Sequence, residues 1–132
     1  MKKPKLTLLI ERFTLHRLAA DAPIPEVVLE SPFFSVVRTP DELSIVVPEG
    51  LVLSGTRQEP GWSCIKVLGP LDFGLTGILA GISTILAGEG ISIFAVSTFD
   101  TDYILIKKDS VPQAVKTLEK AGYQFSDSGQ TS

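Results

Sequence analysis

In the second half of the chain, hydrophobic and polar positions switch between a period of two and a period of three to four. Across residues 62–68, Ser63, Ile65 and Val67 alternate with Trp62, Cys64 and Lys66, as a strand requires, and Gly69-Pro70 ends the run. From Leu75 the apolar residues fall at Leu75, Ile78, Leu79, Ile82, Ile85 and Leu86, a helical stripe that Gly88 and Gly90 stop. Gly77 and Gly81 then lie inside that helix, where each costs about 1 kcal/mol against alanine. Residues 91–96 are apolar on both faces, which predicts a strand covered on both sides. A turn over residues 99–102 leads into a strand from Tyr103 to Ile106. Asp109 or Ser110 caps a last helix, with Pro112 in its first turn, Ala114, Val115, Leu118 and Ala121 on its buried stripe, and Gly122 past its end. Tyr123-Gln124-Phe125 adds a final strand. The order is β-α-β-β-α-β, the split βαβ or ferredoxin-like arrangement.

The first half is an abbreviated version of the same plan. Residues 6–10 read as a strand, and the apolar parity changes face near Glu11-Arg12 before Phe13, Leu15 and Leu18 continue it, which predicts a bulge or sharp bend. Residues 21–25 form a linker, residues 26–30 at most a short helical turn, and residues 33–37 and 43–47 a hairpin joined through Arg38-Thr39-Pro40-Asp41-Glu42. Three glycines and two prolines between Pro48 and Gly61 place a subdomain boundary there. The expected organisation is an N-terminal subdomain over residues 1–60, a C-terminal one over 61–125, and a flexible tail over 126–132. The expected fold class is α+β, with antiparallel sheets carrying helices on one face.

Composition adds that this unit does not work alone. Of 132 residues, 44% are hydrophobic and 20% charged, so a packed core is accessible. A mean hydropathy of +0.28 is more apolar surface than so small a chain hides by itself, which points to an oligomer. A net charge of −3 argues against nucleic acid as a partner. The one basic run, residues 1–5, reads as a solvated tail. No stretch reaches the roughly 18 apolar residues of a membrane span, and no signal peptide is visible, so a cytoplasmic location is expected.

Candidate chemistry is sparse. The single cysteine, Cys64, sits in an apolar run and reads as a small buried hydrophobe. The single histidine, His16, has no nucleophile or carboxylate motif around it and reads as a surface or structural residue rather than a general base. Asp100 and Asp102 have only Asp72 to complete an acidic cluster and no histidine to join it, so no metal, cofactor or catalytic site is expected. The informative stretch runs from Gly69 through Asp72, Phe73, Gly74, Leu75 and Thr76 to Gly77, where a strand ends and a helix begins. Helix N-termini present backbone N–H groups that accept carboxylates. Tight helix–sheet packing explains the glycines equally well. The pattern is neither a P-loop nor a dinucleotide fingerprint.

Several runs resemble the ACT-domain family, whose βαββαβ modules bind amino acids and regulate metabolic enzymes. Within it they are similar to the subgroup that includes the cytosolic arginine sensor of the mTORC1 pathway. The runs are residues 6–12, Phe33-Phe34-Ser35-Val36 with Thr39-Pro40-Asp41, residues 91–96, and above all Ser97-Thr98-Phe99-Asp100-Thr101-Asp102-Tyr103-Ile104-Leu105. The resemblance implies that this chain is one half of an assembly, with ligand between halves. It implies that the ligand meets Asp72, Phe73, Gly74, Leu75, Thr76, Gly77 and Ile78 in one loop and Thr98, Phe99, Asp100, Thr101 and Asp102 in a turn. Glu89, Ser92 and Ile93 of the partner copy would close the pocket. One position departs from that subgroup: Leu75 stands where the arginine-binding half has a glutamate. Losing an anion from a desolvated site weakens guanidinium binding by about 2–5 kcal/mol. Asp102 remains to hold an amine, so the resemblance implies a smaller or less cationic amino acid. A homodimeric amino-acid-binding regulator is the expected function. A ligand-free subunit that docks a metabolic enzyme is the alternative, and a small ferredoxin-like enzyme lacks the residues it would need.

Overall fold

The computed structural model describes residues 3–55, 57–69 and 77–126. Eight strands and three helices appear in the order β1 (Leu6–Leu8), β2 (Phe13–Leu18), α1 (Glu26–Leu29), β3 (Ser35–Arg38), β4 (Leu43–Pro48), β5 (Arg57–Val67), α2 (Ile78–Gly88), β6 (Ile93–Ser97), β7 (Asp102–Lys107), α3 (Val111–Lys120) and β8 (Phe125–Ser126). They make two compact units. One joins the residues up to Ile10 with those from Ser63 onward, and the other is Glu11–Trp62.

The first unit carries the β-α-β-β-α-β order expected of the second half, with its strands arranged β8-β1-β5-β7-β6. Leu6, Ile65, Val67, Ile104 and Ile106 on one sheet face pack against Ile82 and Leu86 of α2 and Ala114 and Leu118 of α3. The helices therefore cover one face, as the period-two and three-to-four patterns require. Ser110 stands at the N-cap of α3 without a side-chain cap bond, after a 3-10 turn over Lys108–Ser110.

Four expectations change here. β1 was placed with the N-terminal subdomain, but it pairs antiparallel with β5 (Leu6 opposite Val67) and parallel with β8 (Leu6 opposite Phe125). A strand of three residues goes where the backbone partners are, whatever its place in the sequence. That β1–β8 contact is a parallel pair in a sheet expected to be antiparallel throughout. The basic terminus is tied as well: the Leu68 N–H donates to the Lys5 carbonyl at 2.9 Å, and the Lys3 ammonium lies 5.6 Å from the Tyr123 ring centre. Finally, β6 is an edge strand paired only with β7, with Ile93, Phe94 and Val96 half-buried and Ala95 exposed. Within one chain it is not covered on both faces.

In the second unit the strands run β3-β4-β2-β5, all antiparallel. Leu43, Ile45 and Val47 of β4 and Val36 of β3 close over Val28 of α1. The segment from Arg57 to Gly61, expected as a boundary loop, is instead the first part of β5. Phe13 faces Trp62 and Leu15 faces Glu59, so two residues, Pro60 and Gly61, lie opposite Thr14 alone. That extra residue is a β-bulge, and Gly61 supplies its left-handed backbone at φ 81°. Proline and glycine mark a bulge here as readily as a loop. The Gly61 N–H donates to Glu49 Oε2 at 2.6 Å, which satisfies the amide the bulge removes from the ladder.

Candidate functional site

The site is built in the first unit, from the end of β5, the start of α2 and the β6–β7 turn. Asp72, Phe73, Gly74, Leu75 and Thr76 lie outside the described residues. Gly77 is the N-cap of α2 at φ 80°, a left-handed backbone that an L side chain resists, and not a residue within the helix. It has no side chain to cap the first-turn amides, and α2 carries no acidic residue in that turn. An 11-residue helix gathers its first-turn N–H groups and a partial positive charge at this end. Ile78, the first helical residue, is half-buried against the core.

Thr98 to Thr101 form a closed turn. The Thr98 N–H donates to the Thr101 carbonyl at 2.8 Å, and the Thr101 N–H donates to the Thr98 hydroxyl at 3.2 Å. Thr101 is buried, and its own hydroxyl donates to the Val67 carbonyl at the end of β5. This bond fastens the turn beside the strand end that leads toward α2. The strands with an end here, β5 and β7, the first and third of the motif, are paired. Phe99 and Asp100 stand exposed at the tip, Phe99 at 79%.

Asp102 opens β7 opposite Ser97, the last residue of β6. Side chains alternate along a strand, so Asp102 shares the face of Ile104 and Ile106, the face that α2 and α3 cover. It is half-buried, and the Ser97 hydroxyl donates to its Oδ1 at 2.5 Å. A carboxylate thus sits on the helix-covered face at the end where β5 leads into α2. Ser97 was not among the expected site residues, although it opens the run that most resembles the family; the signal for its role is the register that pairs it with Asp102.

Glu89, Ser92 and Ile93 lie elsewhere. Glu89 follows the end of α2, about 18 Å along the helix from Gly77, and accepts a hydrogen bond from Gln113 Nε2 at 2.9 Å. Ser92 is exposed, and Ile93 is half-buried against the helical core. Within one chain these three do not reach the turn. Among the described residues no three His, Cys, Asp or Glu side chains gather as metal ligands, and no helix is long and apolar enough to cross a membrane.

A split βαβ unit with a glycine at its helix start and a serine-held carboxylate at one end of its sheet defines the class: a small α+β module. Comparison with known proteins gives the family. The ACT-domain family model matches residues 57–120, and an N-terminal-domain family model matches residues 11–54. A crystallised protein of Agobacterium tumefaciens is 36% identical, with a TM-score of 0.88, over 96% of this chain and 94% of its own. The cytosolic arginine sensor for mTORC1 subunit 1 of Pongo abelii is 29% identical over 127 residues, 86% of this chain and 37% of the sensor. The regulatory subunit of aspartate kinase from Thermus thermophilus, at 12% identity, shares the fold, with a TM-score of 0.67 over 92% of this chain and 99% of that one. The segment over residues 57–120 belongs to the ACT-domain family. It spans 61% and 37% of the length of the first two curated relatives it matches.

Proposed function

We propose that this chain is a non-catalytic regulatory module that binds a free amino acid in the cytoplasm, with the ligand held between two copies. The observation that carries the reading is the pairing of opposite polarities at one end of the first unit. The Asp102 carboxylate, held by Ser97, suits an α-amine, and the start of α2, with glycine at its N-cap and no acidic residue in its first turn, suits an α-carboxylate. Asp72 to Thr76 complete that loop in this reading, and Glu89, Ser92 and Ile93 are supplied by the second chain. The names of the arginine sensor and of the aspartate kinase regulatory subunit support a regulatory role. Leu75, where the resemblance places a glutamate for arginine, favours a smaller or less cationic amino acid.

Calorimetric titration with the twenty amino acids tests this. One of them binds with heat, and Asp102→Asn weakens it about 10–100-fold, the equivalent of losing one charged hydrogen bond. Affinity unchanged within twofold in Asp102→Asn removes the assignment. Absence of binding by all twenty, with stable association to a metabolic enzyme, favours the docking-subunit reading.

A further inference from the structure

The second unit repeats the layout of the ligand end of the first. Its elements β2-α1-β3-β4 follow the order β5-α2-β6-β7, and its hairpin turns through the same device. The Thr39 N–H donates to the Glu42 carbonyl at 2.9 Å, while the Thr39 hydroxyl accepts from the N–H groups of Asp41 at 3.1 Å and Glu42 at 3.2 Å. The turn Thr39-Pro40-Asp41-Glu42 thus stands where Thr98-Phe99-Asp100-Thr101 stands in the first unit. The closing pairs correspond too: Arg38 opposite Leu43 in one hairpin, Ser97 opposite Asp102 in the other.

Arg38 therefore occupies the place of Ser97. It lies two residues beyond Val36, which faces the core over α1, so by strand alternation it leaves the sheet on the helix-covered face. Its guanidinium reaches the linker between β2 and α1, donating from Nη1 to the Ala20 carbonyl and from Nη2 to the Ala22 carbonyl at 2.8 Å. That linker is the counterpart of the chain between β5 and α2. A planar fork of N–H donors meets two backbone oxygens, which a lysine ammonium would not match.

We propose that the carbonyls of Ala20 and Ala22 form a guanidinium-accepting site that Arg38 fills from within the same chain. The second unit then carries the ligand layout with a built-in occupant, and the chain takes one free ligand. The correspondence with the ligand end of the first unit rests on the function proposed above. The two carbonyl contacts do not.

Arg38→Ser, which installs the residue found at the equivalent position, empties the site. Its Tm falls by about 5 °C, and millimolar ethylguanidinium restores part of the loss in the variant while leaving wild type unmoved. Ethylammonium at the same ionic strength restores nothing. Arg38→Lys keeps the charge without the fork, and it behaves as a milder version, with rescue by ethylguanidinium if Arg38→Ser fails to fold. An unchanged Tm, equal shifts in variant and wild type, or rescue by ethylammonium as well would overturn the proposal. The amino-acid titration of Asp102→Asn reads the other unit, so the two ideas fail separately.

Discussion

Two residues respond to their surroundings in ways a measurement can read. His16 is 3% exposed, and in register it lies opposite Ile45 on the core side of its sheet. Burial holds its imidazole below the ordinary value of 6.5 by penalising the charged form. The folded state keeps His16 neutral while the unfolded chain takes up a proton below that value. Its contribution to stability is full above pH 6.5 and is lost as pH falls toward the folded pKa. Urea midpoints at pH 7.5 and 5.5 should converge in His16→Phe relative to wild type; an equal acid loss in both proteins removes this account. Thr101 gives the second reading. Thr101→Val keeps the shape but leaves the Val67 carbonyl without its donor, at about 1–2 kcal/mol. Chemical denaturation checks it, and a loss below about 0.5 kcal/mol would show that the bond contributes little. Residue identities were partly legible: Cys64 is buried as its neighbours suggested, whereas for His16 the sequence left surface and structural roles open and the structure buries it. The Ser97–Asp102 and Thr101–Val67 bonds were not, because they depend on register and on contact across 34 residues of sequence.

At the scale of elements, the period of the hydrophobic pattern was legible and the meaning of glycine was not. Ile82 and Leu86 of the first helical stripe and Ala114 and Leu118 of the second are buried, because three-to-four spacing has only one way to face a sheet. Glycine permits several backbones, so its role depends on what surrounds it. Gly77 caps a helix, Gly61 forms a bulge, and Gly81 leaves room for Tyr123, whose hydroxyl would lie 3.2 Å from an added Cβ. The bulge offers the sharper test. Gly61→Ala forces a side chain into φ 81° and should cost about 1–2 kcal/mol. Because Gly61 also binds Glu49 through its amide, Glu49→Gln should cost less, since the amide oxygen still accepts. Denaturation midpoints that rank the two substitutions the other way would show the carboxylate, not the backbone, to be what holds the bulge.

For the molecule as a whole, the split βαβ order was legible from the sequence, whereas the assignment of β1 was not, since local pattern cannot say which sheet accepts a three-residue strand. The apolar run over residues 91–96 was read as needing cover on both faces, and the single chain does not supply it. Ile93, Phe94 and Val96 stay half-buried on an edge strand. An edge of this kind is a template for another strand, and nothing on β6 blunts it: it carries no charge, no proline and no bulge. The proposed homodimer would use this edge, and closed two-fold symmetry would repeat the contact and give two equivalent sites. Glu89, Ser92 and Ile93, which lie beyond the far end of α2 from Gly77 in one chain, would then approach the turn of the other. A ligand that touches both chains must favour their association to the same degree that association favours the ligand. Sedimentation velocity at micromolar concentration should therefore show a dimer that the bound amino acid tightens. Phe94→Lys, which adds a like charge to both copies of the edge, should shift the protein toward monomer and weaken ligand binding together. A monomer with and without ligand, or a dimer that ligand loosens, would leave the shared site without support.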